Sequence, residues 1–426
     1  MRLPEGLAAF RHRNFRLFWT GMLVSLIGTW MQQVGQAWLV LQLTNDPLAL
    51  GLIAMAQFGP ILFLGPIGGL LADSISKRKA LMVTQTAAGL LALILAVLYV
   101  TGHVEVWHIF VLALGLGIVN SFDLPIRQAF VIEMVGRPYI ANAVALNSTV
   151  FNITRIIGPA IAGLTIAGVG IEPLFFVNAA SYLAVVVSLI LMRSSEMHPP
   201  TERAVVGRNL RSVVDLLVEG VRYTRDNPVI LLVIALVGAV STFAMNYSVL
   251  IPVVARDVLR GNADTYGFLM SAAGLGSLVS ALSIAFRRSA SMNRLFVGAA
   301  LCGLAMVGVG ISRWLPLSLA MMFVAGWGSI SMAATANTTI QLAVPDVLRG
   351  RVVSLYTTVF VGSTPIGGLF SGLIASGFGG APAALMVGGS LATVAAFVAY
   401  LRSPGRAPLR STLTRTPTSA RSDRTN

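Results

Sequence analysis

The stretch Gly65–Lys79, GPIGGLLADSISKRK, sets one carboxylate, Asp73, between an apolar run and three cations, Lys77, Arg78 and Lys79. An acid this close to a hydrophobic segment is costly in lipid and is kept where it has a partner or a task. Asp123 and Arg127 lie four apart, so on a helix they share a face and can pair. Arg155 stands well inside an apolar run, with no acid one turn away in the same helix. Its charge needs a partner on another helix (Asp123, if spans four and five pack), an anionic solute or water, or a snorkelling route to the nearer, cytoplasmic end. Amides recur at mid-run: Gln32, Gln36, Gln57, Asn147, Asn152, Asn246 and Asn337, beside Trp30, Trp38, Phe58, Phe243, Tyr247 and Tyr356. Such a set either packs helices together or lines a wet cavity for a large amphipathic solute. This is chemistry for binding and gating.

Catalysis is not expected. The histidines, His12, His103, His108 and His198, form no HxxxH or HExxH pair, and Cys302 is the sole cysteine, so neither a metal nor a disulfide is expected. No phosphate-binding GxxxxGK[ST] loop occurs, and no nucleophile–base–acid set is visible, so the chain reads as a non-enzyme without cofactor.

The elements that must position these residues follow from composition. The 426 residues are 56% hydrophobic and 11% charged, with mean hydropathy +0.80. Soluble domains carry about 25% charged residues. Too little polar surface exists to cover this much apolar side chain in water, so the solvent is a bilayer and lipid is a partner. The net charge of +14 sits in short connectors rather than on a stripe interleaved with aromatics, which excludes nucleic acid. Apolar runs of spanning length fall near 16–43, 48–72, 79–101, 106–129, 141–168 and 172–193, then 228–255, 264–286, 293–312, 315–337, 350–376 and 381–401. The reading is an all-α integral membrane protein of about twelve transmembrane helices in two six-helix bundles. Residues 1–193 form the first bundle, 194–227 a linker, 228–402 the second bundle and 403–426 a disordered basic tail. The first run is longer than a signal peptide's apolar region, carries Gln32, Gln33 and Gln36, and lacks a small-residue cleavage site, so it reads as a retained span.

The basic residues cluster on one side: the N-terminus, the 73–79 turn, Arg127 and Arg137, the 193–225 linker, Arg287, Arg288 and Arg294, Arg349 and Arg351, and the tail. The other connectors carry Arg256, Arg260 and Arg313. The positive-inside rule then places both termini in the cytoplasm of a multi-pass cell-membrane protein. In the linker, Leu210, Val213, Val214, Leu217 and Val221 recur at helical spacing opposite Arg211, Asp215, Glu219 and Arg222. That is either an interfacial amphipathic helix, ended at Asn227-Pro228, or a plain tether. The halves also repeat. Leu146, Val150, Phe151, Gly158 and Gly163 overlay Leu355, Val359, Phe360, Gly367 and Gly372, with Gln128 matching Gln341. A parallel duplication implies a pseudo-two-fold axis along the membrane normal and a cavity between the halves.

With these residues in view, positions 10–402 resemble the major facilitator superfamily, and within it the bacterial drug and siderophore exporters. Gly69-Leu-Leu-Ala-Asp73-Ser-Ile-Ser-Lys77-Arg78-Lys79, Asp123-Leu-Pro125-Ile-Arg127-Gln128 and the Gly-Pro stretch of Asn147–Gly163 carry the resemblance. Ser76 stands where the family usually has glycine, and Ser280–Arg288, the matching stretch of the second half, has no acid. The resemblance implies a monomeric secondary transporter of a small molecule, working by alternating access and exporting by proton antiport. An importer and a non-transporting sensor or assembly subunit are the rivals. It also implies a gating set of Gly69, Asp73, Lys77, Arg78, Asp123, Arg127, Gly158, Pro159 and Gly163, with Asp73 latching the halves. The bland alternatives are a topology signal at Asp73, a satisfied pair at Asp123–Arg127 and tight packing at Gly158-Pro159 and Gly163. The solute or proton path would use Arg155, Gln32, Gln36, Gln57, Asn147, Asn152, Asn246, Tyr247, Asn337 and Tyr356. Asp123 and Glu133 are the best acids for carrying a proton.

Overall fold

The computed structural model describes residues 5–198, 210–285 and 291–403. The tail beyond 403, Arg287, Arg288, linker residues 199–209 and the side chains of Asp73 and of residues 210–217 lie outside that description.

Among the described residues the secondary structure is helical. The first half holds α1 (Arg13–Thr44), α2 (Pro47–Ser74), α3 (Lys77–Val100), α4 (Val106–Val135), α5 (Ile140–Val169) and α6 (Glu172–Ile190). The linker helix is α7 (Leu210–Asp226). The second half holds α8 (Pro228–Ala244), α9 (Tyr247–Val253), α10 (Ala263–Ala285), α11 (Met292–Ile311), α12 (Leu315–Ala343), α13 (Asp346–Gly377) and α14 (Gly380–Arg402).

Local chemistry sets the boundaries. Asp46 caps α2 by accepting from the Leu48 amide at 2.9 Å, and Pro47 opens the helix. Asn227 caps α8 by accepting from the Val229 and Ile230 amides, each at 3.2 Å, ahead of Pro228. The chain leaves α4 through Gly136 at φ +72°, a conformation that a side chain would strain.

Among the described residues, eleven helical segments are long and apolar enough to cross a bilayer. Between 28% and 56% of the most apolar stretch of each is buried, so much of the remainder faces outward, as at Phe63, Val83 and Ile311. Helix α1 has 32 residues but is less apolar, because Gln32, Gln33 and Gln36 fall within it. Packing against α5 and α6 makes it the twelfth member.

The pairings repeat between the halves. Contacts α1–α5, α1–α6, α2–α4, α3–α4 and α3–α6 recur as α8–α13, α8–α14, α10–α12, α11–α12 and α11–α14. The halves meet through α2–α13 and α5–α10, which the same exchange relates.

Two boundaries differ from the sequence reading. The run 228–255 is not one continuous helix. Helix α8 stops at Ala244, α9 restarts at Tyr247, and Val254–Val258 adds a π turn. The Asn246 side chain donates to the Thr242 carbonyl at 2.6 Å where the ladder breaks. In the other case, α4 runs on to Val135. Twelve residues (124–135) therefore follow Asp123 within the helix, which places it about 18 Å from that end rather than at the helix end.

Candidate functional site

Of the candidate residues, Gln36, Gln57, Arg155, Pro159 and Gly163 lie along the seam between the halves. At the end opposite the basic turns, Arg256 donates to the Leu41 carbonyl at 3.1 Å and to Asn45 Oδ1. The Ser376 hydroxyl donates to Asp46 and accepts from the Leu48 amide at 3.0 Å. A cleft of about 490 Å³ lies here, lined by Asn45, Asp46, Asp257, Ser376 and Gly380 among others. Further in, the Ser271 hydroxyl donates to the Ile156 carbonyl at 2.7 Å.

Small residues let these helices approach. A Cβ added at Gly267 would lie 2.4 Å from the Pro159 carbonyl oxygen, and one at Gly163 would lie 2.9 Å from that of Ala263. On the α2–α13 side, a Cβ at Gly51 would lie 2.5 Å from the Gly368 oxygen, and one at Gly372 would lie 3.1 Å from Leu48. Gly158 serves a different contact: its face receives Trp30 of α1.

Below this closed end, Gln33, Gln36, Gln57, Phe58 and Ser248 line a pocket between α1, α2 and α9. It encloses only about 60 Å³, against about 300–1,000 Å³ for a drug-sized site. The amides thus form one wall, not a complete pocket. Arg155 sits nearby with its guanidinium 6.0 Å from the Trp30 ring centroid and Tyr247 within electrostatic range. Trp30 also meets Phe151 edge-on at 5.8 Å.

The remaining predicted pathway residues are engaged within one half. Gln32 accepts from Asn178 at 2.6 Å. Asn152 donates to the Ser148 carbonyl at 2.8 Å, and Asn337 accepts from Gln341. The Tyr247 hydroxyl meets the Cys302 sulfur at 3.8 Å, and the Tyr356 hydroxyl donates to the Ala333 carbonyl at 3.0 Å. Asn147 is half-buried on α5.

The gating candidates form two clusters. Asp123 is 1% exposed; its Oδ1 accepts from Thr84 at 2.7 Å and Gln85 at 2.8 Å, while Oδ2 pairs with Arg127. Asp123 is therefore not the partner of Arg155. Lys77 pairs with Glu133 at 2.7 Å, joining the start of α3 to the end of α4. Arg78 donates to the Leu189 and Ile190 carbonyls at 2.7 and 3.0 Å, capping α6. Gly69 faces open space, since a Cβ there would meet nothing within 4 Å.

Sequence reasoning missed Gln33, Ser248 and the closing contacts of Asn45, Asp46, Arg256 and Ser376. Arg256 did carry a signal, as one of few cations on its side of the chain.

Residues 5–411 match the transmembrane secretion effector family. The chain belongs to that family, within the major facilitator superfamily. The staphyloferrin A transporter of Staphylococcus aureus is 26% identical over 370 residues, covering 85% of this chain and 90% of that protein. The multidrug efflux pump Tap of Mycolicibacterium fortuitum is 28% identical over 351 residues, covering 80% and 84%. The enterobactin exporter EntS of Shigella flexneri is 25% identical over 364 residues, covering 85% of each. The fold matches the crystal structure of the nucleoside transporter NupG with a TM-score of 0.72 at 12% identity, covering 91% of this chain and 98% of that one. This secretion-effector family member is thus a multi-pass membrane transporter of the facilitator kind and not an enzyme.

Proposed function

We propose that the protein is a secondary exporter of small amphipathic molecules, drugs or siderophores, working by alternating access with both termini in the cytoplasm. The observation that carries this reading is the match, along 80–85% of the chain, to proteins named for siderophore transport, siderophore export and multidrug efflux. The seam supports it. In the proposed orientation its hydrogen bonds close the external end, and the amide wall of Gln33, Gln36 and Gln57 lies on the cytoplasmic side of that closure. A solute would enter from the cytoplasm, and rocking of the halves would carry it outward.

We further propose that proton entry drives export, with Asp123 the better carrier. It is buried inside α4 and its neutralisation would free Arg127, whereas Glu133 is held by Lys77 at the helix end. The cytoplasmic latch at Asp73 that the family resemblance implies belongs to the same proposal.

The test is solute flux in proteoliposomes under an imposed pH gradient, paired with drug sensitivity and metabolite export of a deletion strain and its complemented parent. Flux opposite to the proton gradient is expected. Solute that moves with the protons would make the protein an importer, and absence of flux for every solute would remove the transport assignment.

A further inference from the structure

Among the described residues, Arg155 is a charge without a protein counter-charge. Fifteen residues of α5 precede it (140–154) and fourteen follow (156–169), so it stands at the helix midpoint, about 21 Å from the nearer end at 1.5 Å per residue. An arginine side chain cannot snorkel that far. Among the described residues its guanidinium makes neither a hydrogen bond nor an ion pair, and its polar surroundings amount to the Trp30 face and the neighbourhood of Tyr247. A cation–π contact does not by itself offset the cost of an ionised group at mid-membrane.

Its position says what completes it. Trp30 belongs to α1, Tyr247 to α9, and the Arg155 carbonyl lies against Gly274 of α10, so both halves converge on this residue. Trp30, Gln33 and Ala37 follow at helical spacing on α1, which leads from the guanidinium to the wall of Gln33, Gln36 and Gln57. That pocket lining contains no acid to compete for the cation.

We propose that Arg155 is the recognition centre for an organic anion: the solute presents a carboxylate to the guanidinium, sets an aromatic or apolar body against Trp30 and Phe58, and satisfies its remaining polar groups on the amide wall. The planar fork of arginine matches a carboxylate through two parallel hydrogen bonds, which a cationic or neutral solute cannot use. The inference rests on the transport reading and narrows it from amphipathic molecules in general to anionic ones. It also adds a driving force. An anion leaving a cell that is negative inside moves down the membrane potential.

The test is binding, which needs no flux and no direction. The full chain in nanodiscs is titrated with 1-pyrenebutyrate, 1-pyrenebutanol and 1-pyrenebutylamine, which share one aromatic body. Energy transfer from tryptophan to pyrene reports binding, with protein-free nanodiscs as the blank. Pyrenebutyrate is expected to bind at least tenfold more tightly than either other probe. Arg155→Gln should abolish that preference, and Arg155→Lys should keep part of it. Equal affinities, a preference for the amine, or a preference unchanged in Arg155→Gln would overturn the proposal. If Arg155→Gln does not fold, the order of affinities in the wild type decides alone. Anion binding without export in any flux assay would sink the transport direction and leave this inference standing; export of a cationic solute with no anion preference would do the reverse.

Discussion

Arg256, in the π turn after α9, donates through its guanidinium to Asn45 in the turn between α1 and α2, so the second half grips the first across the seam. The same guanidinium holds the Leu41 carbonyl and is steadied by Asp257 at 2.6 Å. An alternating cycle must break this grip once per turnover.

Arg256→Ala is therefore expected to favour the conformation opened at this end. Two contacts of about 0.5–1.5 kcal/mol each are lost, which shifts the two-state ratio by roughly five- to 160-fold. A cysteine placed at Ser248, on the pocket wall, reads the shift with a membrane-impermeant maleimide added on the side of Asn45. Cys302 is buried and stays silent. Labelling should rise several-fold over the parent, and an unchanged rate would show that Arg256 does not hold the seam.

Gly267 and Gly69 make a matched pair. A methyl at Gly267 runs into the Pro159 carbonyl at 2.4 Å, and backbone cannot step aside as a flexible side chain can. A methyl at Gly69 meets nothing. Gly267→Ala should thus raise Ser248→Cys labelling in the same direction as Arg256→Ala. Gly69→Ala should leave labelling and melting temperature in this conformation as they were. A transport defect in Gly69→Ala with an unchanged melting temperature would locate its tight contact in the opposite conformation.

The repeat of glycines was the part of this geometry open to sequence reading. Gly158 faces α1 while its partner Gly367 faces Thr242 and Asn246 at the end of α8, the equivalent helix. Gly163 meets the first turn of α10 while its partner Gly372 meets the first turn of α2. Each pair performs one task on its own side of the axis, so the glycines had a reason to recur in register. The spans were legible for a similar reason, because lipid demands long apolar runs. The break at Asn246 was hidden, since an amide bonding back to Thr242 leaves no mark in hydropathy. The seam contacts were hidden as well. They join residues 115 to 330 positions apart, and Asn45, Asp46 and Ser376 read alone as ordinary turn formers. Among the amides, hydropathy could not separate Gln32, which bonds Asn178 in its own half, from Gln36 on the pocket wall.

Asp123 and Arg127 carry the heaviest penalty for single replacement. Asp123 is buried and its oxygens serve Arg127, Thr84 and Gln85. Removing one member strands the other in a site of low polarity, which costs about 3–5 kcal/mol. Asp123→Ala should lower the melting temperature measured in detergent, and the double change Asp123→Ala with Arg127→Leu should recover part of the loss. A double variant that loses the sum of the two single effects would show that the two residues do not act as a pair.

The basic end carries a pH-dependent contact. His12, outside the spans, meets Tyr139 edge-on at 5.1 Å and His198 edge-on at 5.7 Å, while the His198 amide donates to the Glu133 carbonyl at 2.7 Å. Burial first, and the charge of His198 second, lower the His12 pKa from its ordinary value of 6.5; Glu196 acts in the opposite sense. A depressed imidazole favours the neutral form when folded. Its contribution is full above about 6.5 and is lost as the pH falls through the lower folded value, because the unfolded chain takes up the proton first. Acidification below pH 6.5 should then loosen residues 193–198, where Asn14 also holds the Arg193 backbone at 2.9 and 3.0 Å. Hydrogen exchange of the amides of Glu196, Met197 and His198 should accelerate at pH 5.5 relative to pH 7.5 beyond the intrinsic pH effect, and His12→Gln should flatten that excess. An excess that persists in His12→Gln would assign the loosening to His198 or Glu196 instead.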